Sequence, residues 1–544
     1  MKNSVVGVLL FSLFFIHPLW AQQNKFDAQP PKVVIGLVVE NMRPDYIHRY
    51  WNEFLPNGFR KLYSNGTVCT NVNLTQHAQS YASGTATLFT GATPSIHGII
   101  NKTWYSRLKE KEVESTEDDY YITVGSDSEF GKASPVKLLS NTVTDNLKIF
   151  TRGKAKVFSA AMNRESSIFS AGHAADGAYW YDPQTGRMIS SSFYISNFPE
   201  WVRLFNNENY GQIYSYRNWT ALLPSASYEE STIDDYILEK GYYDSWNTFP
   251  HNISKYSKRA ENFGPLKTTP FANLIIKDFA KKLMDNEEIG QDNVTDFLTF
   301  TFSSMDYENG SFGPASMEMQ DSYLYLDQYL AELISYAEQK YGKGNVLFFL
   351  TSNTSASYPV EYLQEEFHLP VDHYYPENSI ALLTSYLNIT YGQQKWIAWY
   401  SDLQVYLDHE LIKKNNVDLN EMRDEASNFI NQFEAVQVAM PAYQLEQGNP
   451  GNEMLGPLYN SYAKNRSGDF LYTLKEGWQP KHKFQRTNYT DESHIPLVFY
   501  GKGIPAIKIS TKYNAVDLAP TLSELMGIQS PNKSQGQKID GLTD

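Results

Sequence analysis

The chain has 544 residues, 42% of them apolar, and a formal net charge of −15. That length holds one large α/β domain with insertions, or two to three ordinary domains. The acidic balance excludes general nucleic-acid binding, which needs a basic face. Cys69 is the single cysteine, which excludes an intramolecular disulfide and a thiolate zinc cluster.

In chain order, the first feature is Lys2 followed by an apolar run that ends in the small residue Ala21. This pattern reads as a secretory signal peptide over residues 1–21. The run is short for a membrane span and no second one follows, so no transmembrane segment is expected after cleavage. The mature chain is expected to begin near Gln22, with a linker over residues 22–31, and to lie in a bacterial periplasm or outside the cell.

From residue 32 to 544 the chain reads as one α/β domain with a mainly parallel central sheet, helices on both faces, and long insertions over the carboxyl edge. "KVVIGLVVE" (32–40) is a β-branched run ending in Glu40, a first strand by pattern. "KAKVFSAAM" (154–162), "DFLTFTFSS" (296–304), "NVLFFLTSN" (345–353) and "IPLVFYGKG" (495–503) read the same way. Between the third and fourth of these runs, residues 316–342 carry apolar side chains at helical spacing and end in Gly. Unbroken apolar strands alternating with helices predict a largely parallel, doubly covered sheet. The stretches about 171–260 and 360–475 are more polar and aromatic and read as the insertions. "HAQSYASGTATLFTG" (77–91) reads as a helix start whose small residues leave backbone N–H groups available to an anion.

In an open α/β sheet, chemistry collects at the carboxyl ends of strands. The candidates there are Glu40 and Asn41, Asn163 and Arg164, Asp306, and Ser352 to Thr354. The strand "NVLFFLTSN" delivers only hydroxyls and an amide, none ionisable near neutral pH.

These segments together resemble the alkaline phosphatase superfamily, in particular the phosphate-irrepressible alkaline phosphatases of secreted bacterial type, with nucleotide pyrophosphatase/phosphodiesterases further off. The resemblance is carried in order by "GLVVENMRPDY" (36–46), "LFTGATPSIHGI" (88–99), "SSMDYENGSFGP" (303–314), "FLTSNTSA" (349–356), "RSGDFLY" (466–472), "HIPLVFYGKGI" (494–504) and "VDLAPTLSELMGI" (516–528). It implies cleavage of phosphate esters by two zinc ions and a Thr or Ser nucleophile. Carried over by position, the first metal-ligand Asp falls on Glu40 and the nucleophile on Tyr81, with Ser80 adjacent. Asp306 is retained, its His partner falls on Gly310, and an Asp-His pair falls on Asn353 and Thr354. The last His falls on Phe484 or Gln485, with His482 close by. Of the substrate-binding residues, Arg164 remains, the Lys two before it is Met162, and an Asn falls on Lys102.

Read ligand by ligand, this implies that the two-zinc site is lost and that no cofactor is used, beyond weak binding of a hard cation at Glu40 and Asp306. No catalytic or metal residue is assigned; Arg164 and Lys102 stand as a residual anion site. The expectation is therefore a pseudophosphatase with a binding or assembly role, its ligand or envelope partner unnamed. Glycan or polymer contact through the aromatic insertions, such as "GYYDSWNTFPHN" (241–252), is a further expectation. The alternative is an active phosphate-monoester or phosphodiester hydrolase with atypical ligands. His97, His173 and His494 are expected to be structural. "EEFHLPVDH" (365–373), though rich in His and carboxylates, is broken by Pro370 and is expected to hold no metal.

Overall fold

The structure, a computed structural model, describes residues 29–77, 79–239, 241–242, 246–303, 312–401, 403–448, 455–481 and 492–542. The expected signal peptide over 1–21, most of the linker, Asp306, Gly310, His482, Phe484 and Gln485 lie outside the described residues. Among the described residues, no helix is long and apolar enough to cross a membrane.

The central sheet is α/β and mixed, with a parallel heart. Its main strands are β1 (Val33–Glu40), β2 (Thr67–Asn73), β3 (Val157–Ala161), β4 (Gly177–Asp182), β5 (Arg187–Ser191), β6 (Asp296–Ser303), β7 (Val346–Thr351) and, near the C-terminus, β12 (His494–Gly501). Across the sheet they run β2-β12-β7-β1-β6-β3-β4-β5, and short strands at Lys508–Ile509 and Thr123–Val124 close the two edges. Five neighbours, β7-β1-β6-β3-β4, are parallel. β12 is antiparallel to β7 and to β2, and β5 is antiparallel to β4.

The unbroken apolar run of β1 has a physical cause. Val33, Ile35, Leu37 and Val39 enter one core, which α3 (Pro270–Asn286) and α4 (Met317–Tyr341) supply from their side. Val34 and Val38 enter the core on the opposite face, with Leu88, Phe89 and Phe349. A strand buried on both faces cannot alternate polar and apolar residues. Gly36 interrupts the run because a Cβ there would sit 2.4 Å from the Phe349 ring.

Parallel pairing fixes where the strands end. Glu40 lies opposite Ser303, Val38 opposite Thr351, and Thr301 opposite Ala161. The polar residues that follow these positions are thereby gathered along one edge. Into that edge points α1 (Tyr81–Thr90). Ser80 caps it, with its side chain accepting from the Ser83 amide and Ser83 returning the bond to the Ser80 backbone. Such a reciprocal cap is worth about 1 kcal/mol. α2 (Arg164–Ala171) leaves the end of β3 at the same edge.

Two parts of the chain lie outside this frame. Residues 376–474 build a separate sheet, β8 (Ile397–Ser401), β9 (Gln404–Leu407), β11 (Phe470–Leu474) and β10 (Val436–Pro441) in that order. It has its own apolar core against α5 (Pro376–Tyr391) and α6 (Leu419–Ile430). Residues 192–260 are mostly short helices and turns lying beside α3 and α4.

Candidate functional site

The cleft edge is a hydrogen-bonded network rather than a ring of open ligands. Glu40, at the end of β1, is 1% exposed. Its two oxygens are taken up separately: Asn163 Nδ2 donates to Oε2 at 2.7 Å and Ser166 Oγ donates to Oε1 at 2.5 Å. Asn163 in turn accepts from Lys267 Nζ at 2.5 Å, so the amide relays the carboxylate to an ammonium. A carboxylate buried this way needs such donors, because burial without them costs several kcal/mol.

The loop after β7 supplies the second half. Asn353 Nδ2 donates to Thr85 Oγ1 at 2.9 Å and to Ser166 Oγ at 3.2 Å. Thr354 Oγ1 donates to Asn41 Oδ1 at 2.9 Å and accepts from the Asn41 amide at 3.1 Å. Asn41, in the left-handed backbone region at φ 58°, passes the chain on by donating from Nδ2 to the Tyr81 hydroxyl at 2.7 Å. Gly84 makes this closeness possible, since a Cβ there would lie 1.7 Å from the Asn353 carbonyl oxygen. Glu40, Asn163, Ser166, Asn353, Thr85, Thr354, Asn41 and Tyr81 therefore form one connected set. The positions named from the sequence, Glu40, Tyr81, Asn353 and Thr354, meet in space. Ser80 is occupied as the cap of α1.

Arg164 and Lys102 stand in a different balance. The Arg164 guanidinium is 7% exposed, bonds Glu114, lies 3.5 Å from Glu165 and stacks on Phe130 at 5.4 Å. Burial pushes the Glu165 carboxyl up, but Arg164, Lys102 and Lys267 outweigh it and hold it below its ordinary value. The cations along this edge thus already face Glu114 and Glu165. Asn163 is one of the strand-end candidates read from the sequence, whereas Lys267 and Ser166 are members of the site that sequence reasoning missed. Lys267 lies in a 3₁₀ turn before α3, and no motif marks it.

The remaining histidines serve structure. His97 is fully buried, shares a bond with Thr87 Oγ1 at 3.1 Å, and accepts from the Ile99 amide at Nδ1. Burial, with Arg466 adding to it, lowers its pKa to about 3. His494 Nε2 lies 3.1 Å from the Thr70 carbonyl oxygen, and His173 Nδ1 pairs with Asp145 at 2.8 Å. In 365–373, His373 pairs with Glu361 at 2.9 Å, while the backbone of His368 ends a helix in the left-handed region. Of the aromatic stretch, Tyr242 is buried against Tyr256 at 4.1 Å, and Trp246 stacks on Tyr256 at 5.1 Å with Lys255 3.7 Å above its ring. These rings are spent on packing.

The described donors do not fit the two zinc ions that the resemblance implies. Zinc takes imidazole, thiolate or carboxylate ligands, several per ion. Among the described residues the matched positions offer one carboxylate with both oxygens engaged, an amide and a hydroxyl. Among the described residues no three His, Cys, Asp or Glu side chains are grouped to hold a metal.

Comparison with known proteins bears on the same point. Residues 34–496 match the family model for type I phosphodiesterase / nucleotide pyrophosphatase. The chain is 33% identical to "Alkaline phosphatase PafA" of Elizabethkingia meningoseptica, covering 99% of this chain and 98% of that one. It is 32% identical to "Alkaline phosphatase PhoV" of Synechococcus elongatus, over 100% of both. The crystal structure of wild-type PafA superposes with a TM-score of 0.88 at 32% identity, covering 95% of this chain and 99% of that one.

Two expectations are overturned by this finding. The reading of the chain as a pseudophosphatase kept for binding or assembly is not upheld, because end-to-end relatives at 32–33% identity are alkaline phosphatases. The expectation of no cofactor falls with it, since the end-to-end relatives are alkaline phosphatases, the family for which the resemblance implies two zinc ions. The error was one of weight. Ligand counting judged the chain on a handful of positions, of which Asp306, Gly310 and the last-His position at Phe484 or Gln485 lie outside the described residues. Matched along 34–496 and about one-third identical to alkaline phosphatases from end to end, the chain belongs to the type I phosphodiesterase / nucleotide pyrophosphatase family and, within the alkaline phosphatase superfamily, to its phosphate-irrepressible PafA type.

Proposed function

We propose that this chain hydrolyses phosphate monoesters with an atypical set of side chains at the strand edge. In that reaction the ester P–O bond breaks, an oxygen from water ends on phosphorus, and a water proton ends on the released alcohol. The observation that carries the reading is the collinear similarity to alkaline phosphatases over 99–100% of the chain. Tyr81 occupies the nucleophile position at the start of α1, its hydroxyl held by Asn41.

Export is part of the same proposal: residues 1–21 carry the signal-peptide pattern, which supports a periplasmic or secreted enzyme. The test of the reaction class is a paired assay of p-nitrophenyl phosphate and bis(p-nitrophenyl) phosphate with added divalent metals. Turnover is expected to favour the monoester by at least tenfold. Preference for the diester, or no turnover of either, would overturn the reading.

A further inference from the structure

The hydroxyls that β7 delivers to the cleft edge grip the end of β1. Ser352 Oγ accepts from the Met42 amide at 3.1 Å and donates to the Val39 carbonyl at 2.6 Å. Thr354 Oγ1 accepts from the Asn41 amide at 3.1 Å and donates to Asn41 Oδ1 at 2.9 Å. These bonds join positions 310 and 313 residues apart. They hold Asn41 at φ 58°, in the left-handed region that Asn tolerates better than most side chains. Burial is graded along the chain of contacts. Ser352 and Thr354 are 0% and 2% exposed, while Asn41 and Tyr81 are half-buried at the edge.

The second bond of Thr354 has a consequence for Tyr81. A side-chain amide has one accepting end and one donating end. Thr354 Oγ1 already accepts from the Asn41 backbone, so its own proton is free to be donated. Asn41 Oδ1 lies 2.9 Å from it, against 3.4 Å for Asn353 Oδ1, and takes that proton. This turns Nδ2 toward the Tyr81 hydroxyl at 2.7 Å. Nδ2 only donates, so the Tyr81 oxygen accepts and its own proton points away from Asn41. A reversed amide would present Oδ1 there and draw the Tyr81 proton onto an oxygen that does not take up a proton near neutral pH. A hydroxyl whose oxygen is to react needs its proton directed to another group.

We propose that Thr354 is a positioning residue for Tyr81: it acts through Asn41, whose amide it orients so that the Tyr81 oxygen is held as an acceptor at the cleft edge. The inference rests on the reading of Tyr81 as the reacting hydroxyl in monoester hydrolysis. Misplacing a reacting group by about 1 Å costs on the order of a hundredfold in rate, so a reversed amide has a measurable price.

The first readout does not need turnover. The full chain is labelled with 3-fluorotyrosine, and the Tyr81 fluorine signal is identified as the one missing from Tyr81→Phe. Thr354→Val keeps the branched shape and removes the hydroxyl. It is expected to move the Tyr81 signal, as Asn41→Ala does, and Thr354→Ser is expected to restore it. Thr351→Val is the matched control, because the Thr351 hydroxyl is equally buried on β7 and donates to the Pro496 carbonyl at 2.9 Å. It is expected to leave the Tyr81 signal in place. An unmoved signal in Thr354→Val, or equal movement in Thr351→Val, would overturn the proposal.

The second readout is steady-state hydrolysis of p-nitrophenyl phosphate. Thr354→Val is expected to lower kcat by about tenfold or more with KM nearly unchanged. Thr354→Ser is expected to recover most of the loss. Because Thr354 acts through Asn41, the double variant Asn41→Ala/Thr354→Val is expected to lose no more than Asn41→Ala alone. Losses that multiply in the double variant, or a kcat that Thr354→Val leaves intact, would overturn the proposal. Fluorine signals that move as expected in a chain without wild-type turnover would support the positioning by Thr354 and overturn the hydrolysis reading instead.

Discussion

At the scale of single residues, the chain shows how much a side chain's role depends on what faces it. Asn163 is an amide between a carboxylate and an ammonium, and Arg164, one position on, is already engaged by Glu114. His173 offers a measurable case. Burial pulls its pKa down, but Asp145 at 2.8 Å outweighs burial and the net shift is upward from 6.5. Burial pushes Asp145 up, and its bonds to His173 and to backbone amides outweigh that and bring it below 3.8. The His173 contribution to stability is therefore present below pH 6.5 and lost as pH rises through its raised value. The Asp145 contribution is present above pH 3.8 and lost as pH falls through its lowered value. Asp145→Asn is expected to return His173 toward or below 6.5 in a ring-proton NMR titration; an unchanged value would show that the pair does not set it.

Elements show what was legible and what was not. The five apolar runs read as strands fall on β1, β3, β6, β7 and β12, because burial on both faces writes an unbroken apolar signal. The helix expected over 316–342 is α4 at Met317–Tyr341. The Glu40–Asn163–Lys267 relay was not legible: it joins positions 123 and 104 residues apart through a turn with no motif. That Tyr81 reaches Asn41 likewise depends on how closely α1 approaches the β7 loop, which Gly84 permits. Gly84→Ala is expected to cost about 1–3 kcal/mol, as overpacking does, and to lower the unfolding temperature by several degrees. An unchanged unfolding temperature would mean that the approach is looser than 1.7 Å implies.

A second element-scale prediction concerns the 376–474 sheet. Asp469 is fully buried and receives Arg107 at 2.9 Å, Arg423 at 2.7 Å and His409 at 2.7 Å. Burial raises its pKa, and His409, Arg107 and Arg423 outweigh burial, leaving it far below the usual carboxylate range. Asp469→Ala is expected to cost roughly 3 kcal/mol, the low end for breaking a buried pair, because its partners keep some contact with water. Faster proteolysis within 376–474 would report it; a cleavage rate equal to the wild type's would contradict it.

At the scale of the whole molecule, two kinds of observation meet. The identity that runs from end to end ties the chain to alkaline phosphatases, and the edge of the sheet presents a bonded network where the family pattern has metal ligands. A catalytic reading has to pass through those residues. The most direct measurement is steady-state hydrolysis of p-nitrophenyl phosphate by the full chain at alkaline pH, with zinc, magnesium, calcium or manganese added in turn, beside Tyr81→Phe. Turnover clearly above buffer in at least one metal, lost by at least a hundredfold in Tyr81→Phe at unchanged unfolding temperature, is the predicted result. Turnover equal to buffer under every metal, or turnover that Tyr81→Phe leaves intact, would contradict the account.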